Sequence, residues 1–190
     1  MELGETLYVT TRTEWRSWLQ EHHTTEREIW LVYYKKHTAK PRIPYNDAVE
    51  EALCYGWIDS TVKKLDDDRF AQRFTPRRQG SKSSKLSEMN KARIRQLIKQ
   101  KKMTAAGLAA VKHLLGNPSK TEAIVIAPDI LEALQEDKTT WENFQQFPDS
   151  YKRIRIGWIE LARTRPRIFE QRLRYFIKMA AKNKRFGMVQ

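Results

Sequence analysis

Arg77 and Arg78 close the stretch from Glu51, EALCYGWIDSTVKKLDDDRFAQRFTPRR, in which Trp57, Asp59, Lys63 and Arg73 recur at strand-like spacing. Guanidinium groups beside an aromatic plane suit a carboxylate or phosphate: each offers parallel N–H donors to two anionic oxygens, and a ring alongside excludes water. Asp59 would hold Arg73 in position. These six residues are the expected binding site. The same residues also read as plain structure, with Trp57 in the core, Asp59 and Arg73 an ordinary cross-strand pair, and Arg77 and Arg78 solvated in a loop.

Other reactive residue types lack the company that chemistry needs. His22, His23, His37 and His113 show no HExxH or HxH spacing. Asp66, Asp67 and Asp68 form a carboxylate cluster without the glycine and terminal glutamate of a calcium loop, and read as a turn. Cys54 is the sole cysteine, which excludes an internal disulfide; within AVEEALCYGW it reads as a buried small residue rather than a reactive thiol. No catalytic residue, metal site or cofactor is expected. An enzyme built on Asp59 perturbed by nearby arginines stays open as a third reading.

The net charge of +13 is unevenly distributed. Arg69 to Lys112 holds thirteen Lys or Arg against Glu88, and Ser150 to Gln190 holds twelve against Glu160 and Glu170. Such segregation produces a directional field that attracts polyanions, acidic proteins or anionic small molecules. Lys91, Arg95, Lys99 and Lys102 line one helix face; Arg167, Gln171, Arg174, Lys178, Lys182 and Arg185 line another. These faces are either anion-binding surfaces or solvated exteriors kept for solubility. Sequence-nonspecific nucleic-acid binding is the alternative function, with basic faces following phosphates. No zinc finger, RNP motif or GxxG loop accompanies them, and most aromatics lie on apolar stripes.

The elements that must position these residues follow from periodicity. Thr11 with Glu14 predicts a capping box opening a helix with Trp15, Trp18 and Leu19 on its apolar face, ending near His23. Glu28 to Lys36 reads as a strand, and Asn46 to Tyr55 as a helix stopped by Gly56. Ile58 to Lys64 and Arg69 to Thr75 read as an antiparallel hairpin around LDDD. With an odd loop, Ile58 and Val62 share the core face with Phe70 and Phe74, leaving Trp57, Asp59, Thr61, Lys63, Arg69 and Arg73 on the other. Ser87 caps a helix burying Ile94, Leu97 and Ile98; another from Thr104 buries Leu108, Val111 and Leu115 and stops at Gly116. Further helices are expected over Pro128 to Gln135, Thr140 to Phe147, and as a pair from Asp149 broken near Pro166, the last with Phe169, Leu173, Phe176, Ile177 and Ala180 inward.

The expected fold class is α+β, a small antiparallel sheet packed with helices and followed by a mainly helical basic C-terminal part. The division is 1–117 for the α+β body with its GWID/FTPR hairpin and basic helix, and 118–190 for the helical part. At 40% hydrophobic residues the chain can build a real core. No window approaches the ~20 apolar residues of a bilayer span, and MELGETLYVT lacks a secretory signal's regions. A cytoplasmic location is expected; oligomeric state is not readable.

EEALCYGWIDS, FTPRR and SEMNKARIRQLIKQKKMTAAGL, followed by AIVIAPDILEAL and GWIELARTRPRIFEQRLRYF, resemble the bacterial YdeI/OmpD-associated, or bacteriocin-protection, family over most of the chain. Leu86 stands where that family often has Trp, and Ile168 and Phe169 where it carries a Thr-Arg pair. The resemblance implies a part in tolerance of bacteriocins or cationic antimicrobial peptides, with no settled biochemical activity or cofactor. A chain of this charge repels cationic peptides at long range, so an indirect route through an anionic partner is expected, as a non-enzymatic binding protein.

Overall fold

The computed structural model describes residues 2–77, 86–115 and 123–187, which group into two compact units. Residues 2–77 and 93–115 make the first; residues 86–92 and 123–187 make the second. Among the described residues no helix is long and apolar enough to cross a membrane.

The first unit is α+β. Its elements are β1 (Thr6–Leu7), α1 (Arg12–His22), β2 (Ile29–Tyr34), a 3₁₀ turn (Lys36–Thr38), α2 (Tyr45–Cys54), β3 (Trp57–Lys64) and β4 (Arg69–Pro76), then most of α3 (Glu88–Lys99) and α4 (Ala105–Val111). The capping box opens α1: the Thr11 hydroxyl accepts the Glu14 N–H, and the Glu14 carboxylate accepts the Thr11 N–H. Trp15 and Leu19 are thereby turned into the core. The strands run in the order β1-β2-β4-β3. β1 lies parallel to β2, so the sheet is mixed rather than wholly antiparallel; a two-residue edge strand is too short for a periodic signal. Ile29 to Tyr33 are all buried, as a continuous apolar run inside a sheet requires.

The hairpin register decides which side chains meet. Next to the turn, Lys64 pairs with Phe70 and Val62 with Gln72, leaving five residues between the last paired positions. A bulge between Asp59 and Val62 then shifts the register, so that Asp59 pairs with Phe74 and Trp57 with Pro76. One extra residue reverses the faces beyond the bulge. Trp57 and Asp59 join the Phe74 face, and Ile58 joins the face of Arg73 and Thr75. The grouping of Trp57, Asp59, Lys63 and Arg73 on one face is therefore corrected: Lys63 and Arg73 lie opposite the other two.

Gly56, at φ +77°, ends α2 in a conformation that side chains resist. α4 packs on α2 through Gly107, where a Cβ would come within 2.0 Å of the Cys54 carbonyl. Thr104 accepts the Gly107 N–H and donates its hydroxyl to the same carbonyl. This close crossing rotates α4 so that Gly107, Ala110 and Val111 are buried; Leu108, expected inside, is exposed. The α3 helix ends at Lys99, with Lys101 at φ 57°, so Lys102 lies beyond the helix whose face it was expected to extend. Ile98 is exposed rather than buried. Gly116 lies outside the described residues.

The second unit is helical: the start of α3 (through residue 92), α5 (Pro128–Gln135), α6 (Lys138–Gln146), α7 (Asp149–Glu160) and α8 (Pro166–Ala181). Pro128 and Pro166 occupy first turns, where a missing N–H is harmless, and Asp137 caps α6 by accepting the Thr140 N–H. Ile130, Leu134, Phe144, Phe147, Tyr151, Ile156, Ile159, Phe176 and Ala180 make the core, with Phe169, Leu173 and Ile177 packed against it. Asn143 donates to the Ala180 and Ala181 carbonyls, closing the end of α8.

Candidate functional site

The hairpin residues are largely committed to one another's structure. Trp57 is buried, donates its indole N–H to the His23 carbonyl at 3.1 Å, and meets Trp18 edge-on. Asp59 accepts the Tyr45 hydroxyl at 2.6 Å, not Arg73. Arg73 instead turns to Glu28, directing both Nε and Nη2 at one carboxylate oxygen. That bond, with a second from the Trp30 indole, holds the Glu28 carboxyl below the usual range. Arg77 is buried, its N–H donating to the Gly56 carbonyl, and burial lowers its pKa. Lys63 is half-buried. Arg78 lies outside the described residues. The cross-strand Asp59–Arg73 pair is thus replaced by two separate partnerships, one on each side of the sheet.

The remaining reactive types have local duties. Asp66 accepts the N–H groups of Asp68 and Arg69 and the Arg69 guanidinium, which builds the turn. Asp68 contacts His37 at 2.9 Å, and the His23 ring contacts the Leu19 carbonyl. Among the described residues no cluster of three or more potential ligands could hold a metal. Burial pushes the Cys54 thiol up to about 11, so it stays protonated and unreactive near neutrality. On α3, Lys91 pairs with Glu88 at 2.6 Å and is half-buried, while Arg95 and Lys99 are exposed. On α8, Arg167, Gln171, Arg174 and Lys178 are exposed, followed by Lys182 and Arg185, and Arg174 pairs with Glu170 at 3.3 Å.

A different arginine carries the strongest signal. Tyr151, Arg155 and Trp158 stand at i, i+4 and i+7 on α7, and Ile168, Arg172 and Tyr175 at the same spacing on α8, so each trio shares a helix face. Together with Gln171 and Phe186 these residues, Tyr151 apart, line a cleft of about 520 Å³. Arg155 is only 4% exposed, and among the described residues its Nε–H and Nη2–H have no hydrogen-bond partner. Its Cζ lies 4.5 Å from the Phe186 ring centroid, 5.3 Å from that of Tyr151 and 5.9 Å from that of Trp158. The Phe186 N–H donates to the Tyr151 hydroxyl, pinning the segment after α8 against this guanidinium. Gly187, at φ +75°, completes the approach: a Cβ there would fall 2.6 Å from Nη2.

The electrostatics are one-sided. Burial lowers the Arg155 pKa, with the Tyr151 ring hydroxyl acting the other way, and among the described residues no carboxylate pairs with it. Arg172 is lowered by burial and then by Arg165; it donates to the Trp158 carbonyl at 2.5 Å and lies 4.7 Å from that ring. Cation–π contacts recover about 0.5–2 kcal/mol each, whereas desolvating a charge costs several. Two cations on aromatic walls without an acid therefore favour an incoming anion. The sequence signal for Arg155 was a charge placed among Tyr151, Ile154, Ile156 and Ile159 on a buried helix. A second cleft of about 460 Å³ on α5, with Glu132 and Glu136, has among the described residues no buried unpartnered polar group in its wall and supports no assignment.

Residues 7–110 match the family described as a domain of unknown function (DUF8412), and residues 123–183 match the one described as "Bacteriocin-protection, YdeI or OmpD-Associated". Comparison with curated proteins and with solved structures finds no match. The GWID and FTPR motifs lie within the first match; Arg155, Trp158, Ile168, Gln171, Arg172 and Tyr175 lie within the second.

Proposed function

The chain belongs to the DUF8412 family and carries a bacteriocin-protection, YdeI or OmpD-associated domain at residues 123–183, and we propose that it is a non-enzymatic binding protein, acting in the cytoplasm, whose C-terminal unit holds an anionic partner. The carrying observation is Arg155: a buried guanidinium in the wall of the cleft whose Nε–H and Nη2–H meet no hydrogen-bond partner, and which no acid neutralises, among the described residues. An interior arginine without a carboxylate is destabilising for the free protein, and an anion in the cleft would relieve it. Exposed Arg167, Arg174 and Lys178, at helical spacing from Gln171 of the cleft wall, would draw such a partner in. Protection from bacteriocins would then be indirect, because the same charges repel a cationic peptide.

Thermal unfolding at ~50 mM salt against organic anions and organic cations of similar size tests this. Anions should raise the midpoint and cations should not; a midpoint indifferent to every anion would remove the proposal. The exposed α8 stripe also favours a second reading, nonspecific nucleic-acid binding. That reading requires retention on random DNA with an affinity falling steeply as salt rises, and loss of binding when Lys178 and Lys182 are neutralised rather than Arg155.

A further inference from the structure

Resting on the anion-binding reading of the α7–α8 cleft, we propose that its ligand is an aromatic carboxylate, a planar monoanion whose carboxyl group meets the Nε and Nη2 edge of Arg155 while its ring lies against Trp158, Tyr175 and Phe186. Nε–H and Nη2–H are the parallel pair on one edge of the guanidinium, and they are the two Arg155 atoms buried without a partner. Two coplanar carboxylate oxygens match that edge with one bond each. In the first unit the same two atoms of Arg73 also meet a carboxylate, there both at one oxygen of Glu28.

Donor count disfavours a phosphate. The open paired edge of Arg155 offers two parallel N–H groups, whereas a phosphate monoester presents three oxygens that need donors. Arg172 already gives one N–H to the Trp158 carbonyl. The start of α8 adds no nest of free amides: Pro166 has no N–H, and Ile168 and Phe169 donate to the Arg165 carbonyl. The remaining wall is Gln171 with Trp158, Ile168, Tyr175 and Phe186, a mainly apolar and aromatic surface better suited to a ring than to a polyol or a nucleotide sugar. A cleft of about 520 Å³ accommodates one- and two-ring acids.

Isothermal titration of the full chain with indole-3-carboxylate, phenyl phosphate, inorganic phosphate and neutral indole separates the possibilities. Saturable one-to-one binding of indole-3-carboxylate, at least tenfold tighter than phenyl phosphate or indole, is expected. Arg155→Lys, which keeps the charge but loses the paired edge, should weaken it about tenfold or more. Tighter binding of phenyl phosphate or phosphate would overturn the carboxylate assignment and leave the anion site standing. Equal binding of neutral indole, or no binding of either organic anion, would overturn both. These comparisons use the unmodified chain, so they hold even if the variant folds poorly.

Discussion

Arg73 in the first unit and Arg155 in the second both lie near tryptophan and largely out of water, yet their paired N–H edges are treated differently. Glu28 fills the Arg73 edge from the position before β2; among the described residues no side chain fills that of Arg155, which lines a cleft. In the proposed reading, an arginine with an internal carboxylate is a structural tie, and one surrounded by rings is a receptor. Position in a conspicuous motif does not separate the two; the company of a carboxylate does.

The largest expected effect comes from Arg155→Met. Removing an unbalanced buried charge from an aromatic cage should abolish anion binding while leaving the unfolding midpoint unchanged or raised, since apolar replacement of buried charge is often neutral or stabilising. A fallen midpoint would break the contrast. Arg73→Met should do the reverse, costing about 1 kcal/mol by leaving Glu28 half-buried without its partner, or roughly 2–4 °C in midpoint, with ligand affinity intact.

Acid sharpens the contrast further. The Glu28 carboxyl is held below the ordinary glutamate value, chiefly by Arg73, so its contribution to stability is present in full above about pH 4.3 and disappears as pH falls through the folded value. The stability gap between the native chain and Arg73→Met, followed by denaturant titration, should therefore narrow below pH 4, whereas Arg155→Met should show no such narrowing. Smallest is the rim: Arg174→Gln with Lys178→Gln should slow anion association about two- to fivefold at low salt, an effect lost near 0.5 M. Stopped-flow rates at two ionic strengths would measure it.

Local rules carried much of the fold. The Thr11–Glu14 box, the hairpin strands and the Pro128 and Pro166 helix starts all write their geometry within four residues of sequence, and all stand in the structure. The bulge at Asp59–Val62 left no such mark, and it alone exchanged the hairpin faces and separated Asp59 from Arg73. Leu108 was misplaced because Gly107 packs on the Cys54 carbonyl, a contact between residues 53 positions apart. The Arg155 cleft was hidden for the same reason: Tyr151 and Trp158 are near in sequence, but Arg172, Tyr175 and Phe186 reach it only through tertiary packing. The GWID and FTPR motifs fall in one family match, whereas GWIELARTRPRIFEQRLRYF falls in the other and itself carries Trp158, Ile168, Gln171, Arg172 and Tyr175 of the cleft.

The most direct test observes both arginine edges at once, by NMR of the guanidinium Nε–Hε groups during titration with indole-3-carboxylate. Arg155 should shift progressively and saturate with the ligand while Arg73, already bonded to Glu28, stays still. A stationary Arg155 signal at ligand saturation, or equal movement of both, would contradict the division between a tie and a receptor.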